Sequence, residues 1–153
     1  INLHPSLLPN YRGCSSLTWA MINGDKKVGF TYHYVSESID MGNIITQVSL
    51  DVYDFDTQQT LYNRVMFEAL KELMPTIDKV LKGDKGYSVN YEGSLYYKRG
   101  CPYDGKINLN WDEEMIERFI RAMNYPPYPY AQFADKEIKT YKEFKSIISR
   151  REK

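Results

Sequence analysis

The sequence predicts an α/β domain followed by a small α+β subdomain, and three features carry that expectation. Two strand-like runs, residues 28–35 and 44–50, flank a short polar loop. A long amphipathic pattern begins at Asp56 and ends near Gly83. After the Gly-containing stretch 82–86 the composition shifts, and 8 of the 14 tyrosines fall between Tyr87 and Tyr130. The division therefore reads as a core over residues 1–86 and a smaller unit over 87–153, within the 153 residues and 42% hydrophobic content of an ordinary globular chain.

Each element has its own warrant. Residues 1–3 read as the end of an apolar strand that runs into a Pro- and Gly-punctuated loop over residues 4–13. A short helix follows, with Ser15 or Ser16 as cap and Asn23-Gly24 as stop signal. In residues 28–35 Phe30, Tyr32 and Tyr34 alternate with Thr31, His33 and Val35, the period of a strand. Residues 36–42 turn the chain into the returning strand at 44–50. Asp56 and Gln59 then fit a capping-box variant, while Leu61, Val65, Ala69, Leu73, Ile77 and Val80 trace one helical face that Pro75 is expected to kink or split. Beyond 87 the pattern gives a strand at 94–98, a helix over 112–123 with Trp111 and Ile116 as hydrophobic staple, a hairpin turning at Asp135-Lys136, and a basic terminal helix.

Charge and cysteine usage exclude several classes. Twenty basic side chains balance twenty acidic ones, which gives no chain-wide field for nucleic acid. The last 18 residues carry a local excess of basic groups, but such a run is ordinarily a solvated helix face. No apolar run approaches a membrane span and no leader is recognisable at the N-terminus, so a cytoplasmic protein that does not engage a membrane is expected. Cys14 and Cys101 lie far apart, outside any CxxC arrangement; with His4 and His33 they lack finger-like spacing, so no metal is expected. Asp54-Phe55-Asp56 looks like an Asp-x-Asp metal-nucleotide motif, yet capping of the following helix explains it better.

The chemistry-bearing residues start at the first strand. Asn2 and His4 are two positions apart, so an extended chain projects both from one face. In open α/β sheets ligands bind beyond the carboxyl ends of strands, which is where this pair falls. Alone the pair is a weak signal, because Asn and His at a loop start are common turn and capping residues.

The wider pattern is specific. Asn2-Leu3-His4-Pro5-Ser6-Leu7-Leu8-Pro9-Asn10-Tyr11-Arg12-Gly13, followed by Ser38-Ile39-Asp40-Met41-Gly42 with the aspartate 36 positions after the histidine, resembles the folate-dependent formyltransferase family. That family includes methionyl-tRNA, glycinamide ribonucleotide and sugar-amine formyltransferases, and the resemblance is strongest over residues 1–82. It implies the C-terminal half of a Rossmann-like core, with 10-formyltetrahydrofolate as cosubstrate and Asn2, His4 and Asp40 as the catalytic set. An amine attacking the formyl carbon passes through a tetrahedral oxyanion, loses a proton, and hands one to the departing folate nitrogen. Asn2 suits the oxyanion; His4 suits either acid–base work or a second oxyanion contact; Asp40 would orient His4. The resemblance also places Ser6, Leu8, Ile39 and Asp40 at the folate, whose pterin lies along the loop 36–41. Tyr11, Arg12 and His33 are assigned to the acceptor side. Arg12 holds either a substrate phosphate or a carboxylate that braces the loop, and His33 reads as support for the site.

The segments Tyr96-Tyr97-Lys98-Arg99-Gly100-Cys101-Pro102-Tyr103-Asp104-Gly105 and Pro126-Pro127-Tyr128-Pro129 resemble the short tail of nucleotide-sugar N-formyltransferases. The implied acceptor is a nucleotide-linked amino-deoxysugar, with Tyr97 stacking on it and Arg99 or Arg121 meeting its pyrophosphate. Competing readings are formylation of methionyl-tRNA or glycinamide ribonucleotide, and a catalytically silent binding module. A homodimer remains open. The family carries a first βαβ half ahead of its Asn-x-His strand, and this chain opens at Ile1 without it. The expectation is a parallel sheet with an exposed edge, prone to instability or self-association.

Overall fold

The computed structural model describes residues 1–151. Its element order is β1 (Asn2–His4), β2 (Arg12–Gly13), α1 (Ser16–Asn23), β3 (Lys27–His33), β4 (Ile44–Asp51), α2 (Gln58–Leu81), β5 (Tyr96–Tyr97), α3 (Glu113–Ala122), β6 (Ala131–Phe133), β7 (Lys136–Ile138) and α4 (Tyr141–Arg151), with a 3₁₀ turn at Pro102–Gly105 between β5 and α3. The central sheet has the order β1-β3-β4. Both of its pairings are antiparallel, which corrects the expected parallel sheet. The short loop after β3 returns the chain antiparallel, and β1 runs toward the end of β3 at which α1 delivers the chain to Lys27. The edge of β1 away from β3 carries no strand among the described residues.

One apolar core joins both parts of the chain. Phe30 and Tyr32 of β3, Ile22 of α1, and Leu61, Val65 and Ala69 of α2 share a cluster with Phe119 and Ile120 of α3, Ala131, Ile138 and Phe144. Burying a side chain such as Phe30 or Phe119 completely contributes about 1.5–3 kcal/mol. The boundary near 86 thus divides the sequence but not the core. Polar pins fix the layers: the Tyr32 hydroxyl donates to the Ala69 carbonyl (2.9 Å), and Arg118 Nε donates to the Ile22 carbonyl at the end of α1 (3.1 Å).

Several local expectations are corrected. Ser15 occupies the cap position of α1 at φ 57° but makes no capping bond, and the Ser16 hydroxyl donates to the Pro5 carbonyl instead. The capping box of α2 belongs to Thr57 and Thr60. Asp56 is displaced from that role because it is fully buried against Arg64 and accepts the Tyr53 N–H. Pro75 lies inside α2, which runs on as one helix to Leu81. The expected strand at 94–98 shortens to β5, which pairs in parallel with β2. The Trp111–Ile116 staple fits α3, whose cap is Asp112, while the β6–β7 turn falls one residue earlier, at Ala134-Asp135, both at positive φ. No helix among the described residues is long and apolar enough to cross a membrane.

Candidate active site

The loop from His4 to Gly13 is held from beneath. Thr31, fully buried on β3, donates its hydroxyl to the Ser6 carbonyl (2.7 Å) and accepts the Leu8 N–H (3.2 Å). Gln47 of β4 reaches the Leu8 carbonyl (2.9 Å) and the Thr31 hydroxyl (2.9 Å) with its amide nitrogen. The Ser6 hydroxyl closes the loop on the Asn10 carbonyl at 2.7 Å. Ser6 and Leu8 are both buried, with their side chains in the base of the loop.

Four polar side chains converge above this base. Asn2 and His33 are paired across β1 and β3, and Asn2 Nδ2 lies 3.1 Å from His33 Nε2. His4 Nε2 faces the Tyr11 carbonyl at 2.8 Å; a carbonyl only accepts, so this nitrogen carries the hydrogen. Its Nδ1 lies 3.5 Å from Asp40 Oδ2, and His33 Nε2 lies 3.6 Å from Asp40 Oδ1. Asp40 Oδ2 also accepts the Gly13 N–H at 2.8 Å. The structure thus brings Asn2, His4 and Asp40 together and seats His33 among them. His33 is 2% exposed and lies beneath Asn2 in this cluster.

Electrostatics set the resting protonation. Burial pulls the His4 pKa below its ordinary value, with the Tyr11 carbonyl and Asp40 opposing that pull. Burial pushes Asp40 upward, but the neighbouring histidine rings and the Gly13 N–H hold its carboxyl below the usual carboxylate value. The pair at rest is therefore a neutral imidazole beside a carboxylate. A proton delivered to His4 Nδ1 meets that carboxylate directly.

The loop carrying Asp40 is anchored at both ends. Tyr34 N–H donates to the Asn43 carbonyl (2.9 Å), and the hydroxyl of Tyr91, from the second part of the chain, donates to the Gly42 carbonyl (3.0 Å). Gly42 is required by close approach, since a Cβ there would lie 1.7 Å from the Tyr34 carbonyl oxygen. Asp40 itself sits at φ 53°, a conformation Asp tolerates better than most residues. Val35 and Ile39 are 71% and 60% exposed, an apolar edge beside Asp40.

The remaining assigned residues are distributed differently. Arg12 forms no ion pair with a carboxylate among the described residues: its Nη1 donates to Ser94 Oγ (3.2 Å) and its guanidinium lies over the Tyr91 and Tyr96 rings. Tyr97 stacks on Trp19 (4.9 Å) and on Tyr11 (5.7 Å), so both tyrosines are engaged in packing. Burial pushes the Tyr11 hydroxyl up to about 12. Arg121 donates from Nη1 to the Asp56 carbonyl (2.8 Å). Arg99 is exposed and borders a cavity of about 520 Å³ with Cys14, Gln58, Tyr125 and Tyr128. Pro5 also borders it, so the cavity begins one residue from His4. Among the described residues no cluster of three His, Cys, Asp or Glu side chains is placed to hold a metal ion. Sequence reasoning missed Thr31, Gln47, Gly13 and Tyr91; the polar Thr31 between Phe30 and Tyr32 was the one readable signal.

Comparison with known proteins places this geometry in context. The sequence profile of the formyl transferase family matches residues 1–77. GDP-perosamine N-formyltransferase of Brucella melitensis is 44% identical over 131 residues, covering 86% of this chain and 50% of that protein. The crystal structure of WlaRD, a sugar 3N-formyltransferase obtained in the presence of dTDP and 5-N-formyl-THF, superposes with a TM-score of 0.80 at 26% identity, covering 91% of this chain and 52% of that one. An N-formyltransferase of Helicobacter canadensis, in complex with folinic acid and dTDP-3-aminofucose, gives 0.76 at 25% identity, with 91% and 52% coverage. The chain spans about half the length of the curated relatives it matches.

Proposed function

The chain belongs to the formyl transferase family, and from that premise we propose that it carries the catalytic residues of an enzyme that transfers a formyl group from 10-formyltetrahydrofolate to the amino group of a nucleotide-linked amino-deoxysugar. The observation that carries the reading is the Asp40 carboxylate 3.5 Å from His4 Nδ1, with Asn2 beside it at the open end of β1. The likeness to sugar N-formyltransferases supports the acceptor class.

In this reading the acceptor amine attacks the formyl carbon, a new C–N bond forms, and the carbonyl oxygen becomes an oxyanion. Asn2 Nδ2 has two hydrogens; one is held by His33 and the other is available to the oxyanion. The amine proton passes to His4 Nδ1, and the imidazolium is stabilised by Asp40. Collapse of the intermediate breaks the bond to the folate nitrogen, which takes the proton. The products are a formamide and tetrahydrofolate. Removing one oxyanion donor typically costs about 2.7–4 kcal/mol of barrier. The exposed apolar edge at Val35 and Ile39 suits the face of a pterin, and the cavity bordered by Arg99 and three tyrosines suits an anionic, aromatic acceptor.

The test is formyl transfer to a panel of GDP-, UDP- and dTDP-linked amino sugars, with methionyl-tRNA and glycinamide ribonucleotide alongside, read by mass. It is run on this chain and on a version extended upstream to the length of its relatives. Formylation of a nucleotide sugar supports the reading. Formylation confined to tRNA or glycinamide ribonucleotide moves the acceptor to those classes.

A further inference from the structure

We infer that His33 is a positioning residue, which turns the Asn2 amide toward the oxyanion and reserves the Asp40 carboxylate for a protonated His4; this rests on the proposed formyl transfer. The argument begins with the far side of the ring. His33 Nδ1 faces the Tyr34 carbonyl at 2.9 Å, so Nδ1 carries the hydrogen. In the neutral ring Nε2 is then a lone pair. The group opposite is the Asn2 amide at 3.1 Å, which must present its nitrogen and not its oxygen. His33 therefore selects one of the two orientations of that amide, and it is the orientation that leaves a second N–H directed away from the ring.

The same bond settles where a shuttled proton resides. Asp40 lies almost equally far from two imidazole nitrogens, 3.5 Å from His4 Nδ1 and 3.6 Å from His33 Nε2. Either would form an ion pair with it if protonated. His33 Nε2 is already engaged by the Asn2 N–H, whereas His4 Nδ1 has no donor directed at it. Protonating His33 would force the Asn2 amide to flip or withdraw, and the oxyanion donor would be lost with it. The groups facing His33 among the described residues are Asn2 from β1, the Tyr34 carbonyl, Asp40 from its loop, and His4 as a more distant charge. Burial of the ring at 2% exposure keeps substrate and bulk water from substituting for Asn2.

The experiment compares His33→Gln, His33→Leu and Asn2→Ala, singly and as the Asn2→Ala/His33→Leu pair, in the upstream-extended enzyme. Glutamine supplies a carbonyl acceptor that cannot be protonated in place of Nε2. His33→Leu should lower kcat on the order of 100-fold, the loss typical of an oxyanion donor, with KM for the folate little changed. His33→Gln should recover most of that loss. In the Asn2→Ala background His33→Leu should cost nothing further, because the residue acts through Asn2. Equal effects of Leu and Gln, or an undiminished loss in the Asn2→Ala background, would overturn the inference. Nitrogen-15 spectra of the histidines give a readout independent of turnover. A neutral His33 protonated at Nδ1, with Nε2 coupled to an Asn2 amide hydrogen, supports the positioning even if no sugar is formylated; an Nε2-protonated ring contradicts it.

Discussion

Replacing Asp56 by alanine is expected to destabilise the protein more than any other single change at a surface loop, because the loop residue is in fact a buried node. Its carboxylate accepts the Tyr53 N–H (2.8 Å) and the Thr60 hydroxyl (3.0 Å) and pairs with the Arg64 guanidinium, at 0% exposure. Its backbone carbonyl receives Arg121 from α3, so the turn before α2 also ties the two parts of the chain together. Alanine keeps that carbonyl but leaves three donors without their acceptor. Breaking a buried pair from one side costs about 3–5 kcal/mol. Arg64 is 31% exposed and recovers some hydration, which favours the lower end. For a domain of this size each kcal/mol moves Tm by about 2–4 °C, so a drop of roughly 6–20 °C is expected. Thermal and urea unfolding followed by circular dichroism measure it. Asp56→Asn, which retains acceptors but not charge, should fall between the two. A loss below about 1 kcal/mol for Asp56→Ala would refute the reasoning, since surface substitutions typically stay within about 0.5 kcal/mol.

Other outcomes follow from the same contacts. Thr31→Val conserves shape but strands the Leu8 N–H, the Gln47 amide and the Ser6 carbonyl, so about 1–3 kcal/mol should be lost in urea unfolding. Gly42→Ala drives a methyl into the Tyr34 carbonyl oxygen; the loop must move, and both stability and turnover should fall, the former by about 1–3 kcal/mol. Stability should also fall with pH. The folded His4 resists protonation, so below its ordinary value of about 6.5 the unfolded chain binds a proton that the folded chain does not. Asp40, held below its ordinary value of about 3.9, adds a second loss at more acid pH. A Tm that declines from pH 7.5 to 5.5, with a slope flattened in His4→Gln, is the expected result; parallel profiles would contradict it.

Much of the fold was legible because its signals are local. The alternation of residues 28–35 and the apolar stripe of α2 need only neighbours in sequence to be read. The candidate catalytic set was legible as a spaced motif, and the structure brings Asn2, His4 and Asp40 within one cluster. What stayed hidden depends on long-range partners. Asp56 looked like a helix cap until Arg64 claimed it, and Thr57 took the cap in its place. The anchoring of the Ser6 and Leu8 backbone by Thr31 of β3 and Gln47 of β4 could not be read from the loop itself. The stacking of Tyr97 on Trp19 and the hydrogen bond from Arg12 to Ser94 likewise join residues far apart in sequence. The returning β4 was legible from the short turn before it, but the antiparallel pairing of β1 with β3 was missed because strand direction there follows from the path of the whole chain, which periodicity does not encode.

The most direct test of the central claim follows a labelled formyl carbon from 10-formyltetrahydrofolate to a nucleotide-linked amino sugar, in the upstream-extended enzyme and its His4→Ala variant. The account predicts a formamide product that carries the label, with turnover lost in the variant while folate binding persists. A labelled sugar formed equally well without His4, or a bound folate that never yields its formyl group to any amino sugar, would contradict it.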